Sequence, residues 1–396
     1  MSTLISQGGF GCVYHPGISC DGRQESDKKM VSKLQKTNFN SKNEVTIGKL
    51  ITGIEGYTQY FIPVESVCKI DIREITEKKL LRECNIIHGH DKDNYTIMKL
   101  KYIKSKAFYK SLISDSHGKN GRKKTILSIV ESFTYLLVSI EKMLDKDIIH
   151  FDLKGDNILY NQQTGYPLII DFGISIPLKK LDSVNMEEYF YGFIPEYYVW
   201  CLDIHIINFL LYETKVSLIE KDIKLIASLY TNYNKGLDSF SPEFRKQYQE
   251  SCVKQMRHLL GMPREEVIQE MLAHHKTWDM YSIAIVYLKL FKYMFPKKFH
   301  KNAIIILFSQ VLLLNIHPDP NKRLSIDETR QEFENIFYTV GDVDEYSELI
   351  SSMDYDETLE TRKINEDLMQ LQKLFTKSII KKRRGFSETT DTSSDT

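Results

Sequence analysis

His150-Phe151-Asp152-Leu153-Lys154-Gly155-Asp156-Asn157, with Ile170-Asp171-Phe172-Gly173 close behind it, is the stretch on which the reading of this chain turns. Within about twenty residues it supplies an acid, a lysine, an amide and a second acid. Phosphoryl transfer calls for such a set. Its transition-state charge spreads over phosphate oxygens, so catalysis is mostly the placing of Mg2+, cations and an acceptor hydroxyl. Asp171 and Asn157 are hard oxygen donors suited to Mg2+. Asp152 is of the type that orients and deprotonates a hydroxyl, and Lys154 of the type that neutralises a moving phosphoryl group.

Before this stretch, Ile126, Ile129, Val130, Phe133, Leu136, Leu137, Ile140 and Leu144 recur at helical spacing and predict one long, largely buried helix over Thr125 to Leu144. Within and after it, short strands are predicted at Asn157 to Tyr160 and Leu168 to Asp171, and mostly helix from there to about Phe337. The first thirty-five residues alternate β-prone runs with glycine and polar turns: Thr3 to Ser6, Cys12 to His15 and Met30 to Leu34. Strands first and helices later predict an α+β architecture in two lobes. The boundaries read as 1–102 for a β-rich lobe, 103–337 for a helical lobe and 338–396 for a tail.

The strand-rich start carries its own chemistry. Ser6-Gln7-Gly8-Gly9-Phe10-Gly11-Cys12-Val13 sets three glycines in a turn between two strands, where bare backbone can approach a phosphate. Alone it reads rather as a plain hairpin turn, since such short motifs recur by chance. Lys33 sharpens it, being a cation inside the apolar run Met30, Val31 and Leu34, where burial is costly unless an anion meets it. The plain alternative is an edge-strand lysine with its amine in water. Glu44, on the next predicted helix, is placed in sequence to pair with that amine.

Composition excludes much else. The chain of 396 residues is 42 % hydrophobic and 27 % charged, which rules out wholesale disorder. Lys plus Arg and Asp plus Glu both total 53, so no net field recruits nucleic acid or an anionic membrane. The apolar runs Ile204 to Leu211 and Ala303 to Asn315 fall short of the roughly 20 residues of a membrane span. The six cysteines contain no CxxC pair, and no start reads as a secretory signal; the expectation is a reduced, intracellular chain without structural zinc.

Taken together, the glycine turn, Lys33, His150 to Asn157 and Asp171-Phe172-Gly173 resemble, in order, the motifs of eukaryotic-type protein kinases. Asp279-Met280-Tyr281-Ser282-Ile283-Ala284 is similar to that family's DxWSxG, and Asp319-Pro320-Asn321-Lys322-Arg323 to its DPxxR. The resemblance covers residues 1 to about 337. With the short amino end and the insertion around Cys20, the wording looks most like the serine/threonine kinases of giant double-stranded DNA viruses. The resemblance implies a bilobal kinase fold and a serine/threonine protein kinase that uses ATP and Mg2+ on protein substrates, in a host cytoplasm or virion. The implied nucleotide contacts are Ile5, Ser6, Gly8, Gly9, Gly11, Val13 and Lys33, with Glu44 as the lysine's partner. Asp152 is then the catalytic base and Lys154 its phosphate-contacting neighbour, and Asn157 and Asp171 hold magnesium. The competing reading is a pseudokinase scaffold, against which the presence of Lys33, Asp152, Asn157 and Asp171 speaks.

The pattern also departs from the family. Ser6 stands where the first glycine is usual, and Phe151 replaces the arginine that in many relatives clamps a phosphorylated activation loop. Activity independent of phosphorylation between Ile174 and Ile194 is therefore expected. Either Glu196 or Asp203 could pair with Arg323. A mostly helical insertion, about 204–277 with helices at Ser217 to Tyr230 and Pro242 to Leu260, selects a partner or obstructs general ones. The aromatic cluster from Tyr189 to Trp200 reads as core and substrate-groove packing rather than nucleic-acid stacking, since few cations flank it. In the tail, a helix is predicted over Asp356 to Ile380, then the basic run Lys381 to Arg384 and a disordered Ser387 to Thr396.

Overall fold

The computed structural model describes residues 2–9, 11–76, 78–87, 94–113, 118–294 and 303–339, and the tail features expected beyond 340 lie outside these. Contacts divide the chain into two units. The first gathers Met1–Lys106, Lys142–His150 and Asn157–Lys180; the second gathers Ala107–Glu141, Phe151–Asp156 and the chain from Leu181 onward. The expected α+β class is observed, with strands concentrated in the first unit and helices in the second.

The first unit is built on an antiparallel sheet of β1 (Thr3–Gln7), β2 (Gly11–His15), β3 (Met30–Lys36), β4 (Val64–Ile70) and β5 (Tyr95–Lys101). Among the described residues its order is β1-β2-β3-β5-β4. The central strand β3 is buried along almost its whole length. Side chains alternate across a strand. On one face Leu34 joins Cys12, Tyr14, Tyr95 and Ile97 in a core closed by α2 (Lys78–Glu83). On the other, Val31 joins Met98, Leu100 and Val64. Lys33, two residues from Val31, shares this second face and lies in register with Val13 on β2 and Met98 on β5.

Helix α1 (Phe39–Thr52) begins at a reciprocal cap: Asn38 accepts from the Ser41 backbone N–H while the Ser41 hydroxyl accepts from Asn38 N–H. Short strands complete this unit: β6 (Ser105–Ala107), β7 (Ile148–Ile149), β8 (Ile158–Asn161), β9 (Pro167–Ile169) and β10 (Ile176–Pro177). Strand β8 pairs with β9 and β7 with β10. The strand expected to reach Asp171 ends at Ile169, because Asp171 takes a left-handed backbone conformation with φ 64°.

The cysteine expectation is corrected here. Cys12 is joined to Cys84 and Cys20 to Cys68, each pair with Cα atoms 6.0 Å apart, while Cys201 and Cys252 are buried free thiols. Nothing in the spacing revealed this, since the partners are 72 and 48 residues apart and meet only once the sheet has formed. Closing loops of that length restricts the unfolded chain. Reduction, or Cys84→Ser and Cys68→Ser separately, is expected to cost about 2–4 kcal/mol per bridge. Thermal unfolding with and without reductant reads this; an unchanged melting temperature would refute it.

The second unit is helical: α3 (Phe108–Ile113), α4 (Gly118–Leu144, its last turn assigned to the first unit), α5 (Met186–Tyr189), α6 (Leu202–Tyr212), α7 (Glu220–Tyr233), α8 (Pro242–Met256), α9 (Arg264–Leu272), α10 (Trp278–Met294), α11 (Ala303–Asn315) and α12 (Ile326–Thr339). Phe133 of α4 packs against Tyr287, Phe308 and Phe333, drawing α10, α11 and α12 onto one apolar stripe. The expected insertion is part of this core. Tyr230 of α7 donates to the Tyr281 hydroxyl (2.9 Å), and Tyr248 of α8 donates to the Ile316 carbonyl (2.5 Å). No helix among the described residues is long and apolar enough to cross a membrane.

Candidate active site

In the first unit, β3 and α1 bring Lys33 and Glu44 together. Lys33 Nζ donates to Glu44 Oε1 (2.9 Å) and Oε2 (2.8 Å), and to Asp171 Oδ1 (2.9 Å). The Lys33 and Glu44 side chains are buried, whereas that of Asp171 is 32 % exposed. Burial opposes the charge on Lys33, but the carboxylates of Asp171 and Glu44 outweigh it and hold the amine protonated, its pKa raised. Burial pushes the Glu44 carboxyl up; Lys33 pulls it down and the neighbouring Asp171 charge adds to the rise. Two acids thus share one amine, and the acid open to solvent is Asp171.

The segment around Asp171 is held on several sides. Asn43 of α1 donates to the carbonyls of Gly173 (3.1 Å) and Ser175 (2.8 Å). The Ile170 N–H donates to the Asn157 carbonyl (3.0 Å), so Asn157 lies beside the residue preceding Asp171. The His150 ring nitrogen Nε2 is 3.0 Å from the Ile170 carbonyl, and Phe172 packs against His150 and Phe61. The Ser175 hydroxyl is buried and donates to the His150 carbonyl (3.0 Å).

The glycine turn lies on the same sheet. Gly8 N–H donates to the Gly11 carbonyl (2.9 Å), which closes the turn between β1 and β2. Gly11 packs closely: a Cβ there would lie 3.0 Å from the Leu34 carbonyl oxygen and 3.3 Å from Lys33 Cγ. Ile5 and Ser6 are exposed on β1, and Val13 is partly buried on β2 beside Lys33.

In the second unit, Asp152 and Lys154 form a buried pair, Lys154 Nζ donating to both carboxylate oxygens at 2.9 Å. Tyr197 joins them: its hydroxyl donates to Asp152 Oδ1 and accepts from Lys154 Nζ (2.9 Å). Burial, and then the Asp152 charge, push the Tyr197 phenol well above its usual pKa. Sequence reading placed Tyr197 in an aromatic cluster and missed this contact. Its one signal is an odd tyrosine pair, Tyr197-Tyr198, directly after Pro195-Glu196. Burial also raises the carboxyl of nearby Asp156, with Lys154 pulling it down and Asp152 pushing it up.

Phe151 fixes the backbone leading into Asp152. Its φ of 69° is unusual for a bulky residue. Asp279 Oδ1 accepts from its N–H (3.0 Å) and the Trp200 indole donates to its carbonyl (2.8 Å). Its ring sits among Phe190, Trp200 and Trp278. The open choice of partner for Arg323 falls to Asp203, at the start of α6, through two bonds of 2.8 Å and 2.9 Å. Trp278 Nε1 donates to the same carboxylate (3.1 Å).

No protein-family profile matches this chain. Among curated proteins, it is 32 % identical over 123 residues to the probable inactive serine/threonine-protein kinase samkD of Dictyostelium discoideum. The match takes in 30 % of this chain and spans 21 % of that relative's length. Among solved structures, the twitchin kinase region from C. elegans aligns with a TM-score of 0.45 at 15 % identity, covering 93 % of this chain and 50 % of that one.

Proposed function

We propose that this chain is an ATP-dependent protein kinase that transfers the γ-phosphoryl group of Mg-ATP to serine or threonine hydroxyls of protein substrates. The observation that carries the reading is the buried Lys33 amine bonded at once to Glu44 and Asp171. Two carboxyl groups share one amine, and the solvent-facing one is Asp171. That is a donor set fitted to a divalent cation: Asp171 with neighbouring Asn157 supplies two hard oxygens, leaving the remaining positions to phosphate and water, as Mg2+ prefers. Bound Mg2+ would neutralise charge on the phosphates.

The chain's own residues do the rest. Glu44 aims Lys33 at the α- and β-phosphates, and the turn of Gly8, Gly9 and Gly11 covers them, with Ile5, Ser6 and Val13 completing the nucleotide contacts. Asp152 takes the proton of the acceptor hydroxyl as its oxygen forms a bond to the γ-phosphorus and the bond to the β-phosphate oxygen breaks, releasing ADP. Lys154 balances charge on the moving group.

Purified protein incubated with γ-labelled ATP and a generic acceptor protein, beside an Asp152→Asn control, tests this. Label on acceptor serine or threonine from the wild type alone supports it. ATP binding with no transfer would favour the second reading, a scaffold with the same fold, which the description of the Dictyostelium relative as probable inactive recommends.

Activation-loop phosphorylation is not needed on this reading. Phe151 is held by aromatic packing, and the Ser175 hydroxyl is buried and already bonded. Exposed Ser183→Ala is accordingly expected to keep kcat/KM within about twofold, an effect of the size usual for surface changes. Loss of transfer in that variant would overturn the claim.

A further inference from the structure

We propose that Tyr197 is a positioning residue for phosphoryl transfer, its phenol hydroxyl holding Asp152 and Lys154 in register; the inference rests on the kinase reading above. Three groups close a triangle. Lys154 Nζ donates to both oxygens of Asp152 and to Tyr197, and Tyr197 donates to Asp152 Oδ1. Lys154 spans both oxygens, and Tyr197 adds a donor on Oδ1 that resists rocking of the carboxylate about its bond to Cβ. A base must meet the acceptor hydroxyl within a few tenths of an ångström to act.

The hydroxyl is itself held in place. Tyr197 is fully buried, with its ring 4.7 Å from that of Trp200. Its N–H donates to the Ile194 carbonyl (2.9 Å), and its carbonyl accepts from Trp200 N–H (3.0 Å). The Trp200 indole then bonds the carbonyl of Phe151, the residue before Asp152. The base is thus gripped at its carboxylate by Tyr197 and at its backbone by Trp200, two residues of one short segment. The raised phenol pKa keeps the tyrosine a donor throughout the neutral range.

The test is Tyr197→Phe, which keeps the ring and removes the hydroxyl, beside Tyr197→Leu, which removes both. Expected for Tyr197→Phe is a fall in kcat of about 10- to 100-fold, with KM for ATP and nucleotide affinity within about twofold and the melting temperature within a few degrees of wild type. Tyr197→Leu should lose as much kcat and also unfold earlier. Wild-type kcat in Tyr197→Phe would overturn the inference, leaving the tyrosine as packing alone. A fall in kcat matched by a collapse of the melting temperature would overturn it too, because the hydroxyl would then serve folding. A wild-type protein that binds ATP yet transfers no label fails the kinase reading itself, an outcome separate from either.

Discussion

Asp152→Asn is expected to lower the rate of phosphoryl transfer by about 10²- to 10⁴-fold while leaving ATP affinity nearly unchanged. The substitution keeps the shape of the side chain and removes its charge and half of its accepting capacity. An asparagine oxygen can still accept from Lys154 or Tyr197, but its amide nitrogen would face the Lys154 amine, donor against donor. On the proposed reading the acceptor hydroxyl then has no base, and a buried lysine has lost its counter-charge. The second consequence costs stability as well, so thermal unfolding must accompany the kinetics. Initial rates at saturating ATP and calorimetric nucleotide binding separate the two effects. Undiminished turnover would remove Asp152 from the mechanism, and the buried acid Asp156 would become the next carboxylate to examine.

Breaking the Arg323–Asp203 pair should produce the largest loss of stability. Both side chains are buried, the geometry is bidentate, and Trp278, Thr277 and the His317 carbonyl bond the same two groups. Burial works against the guanidinium charge, and the Asp203 carboxylate outweighs it. Asp203→Ala leaves that cation buried without its carboxylate. The expected cost is about 3–5 kcal/mol. For a chain of this size that corresponds to a drop of roughly 5 °C in melting temperature. Replacing both members, Arg323→Met with Asp203→Leu, should recover much of the loss, because the penalty belongs to the abandoned charge more than to the missing attraction. If Asp203→Ala melted with the wild type, the pair would have no structural role. Glu196, the other acid weighed for this place, should tolerate replacement far better.

Legibility differed between the Lys33 cluster and the Asp152 cluster. The chain spends only Thr37 and Asn38 between β3 and α1, and the reciprocal Asn38–Ser41 cap starts the helix at once. Glu44 then falls on the buried side, facing the strand. Around Asp152 the sequence named the acid and the lysine but passed over Tyr197, because a tyrosine in an aromatic run carries no pattern that separates packing from hydrogen bonding. Element ends shifted for local reasons too. Helix α7 begins at Glu220, three residues beyond the expected Ser217, where the Asp222 side chain caps the Ile219 N–H.

By itself the sequence determined the order of residue types that phosphoryl transfer would use, and the alternation and periodicity that make strands early and helices late. These are local properties, carried by neighbours a few positions apart. Tertiary structure alone decided that Arg323 meets Asp203, that four cysteines pair across 72 and 48 residues, and that a tyrosine hydroxyl rests on Asp152. Each of those contacts joins groups distant along the chain. Their meeting depends on strand register and on which face of a helix is buried, quantities that composition and spacing do not contain.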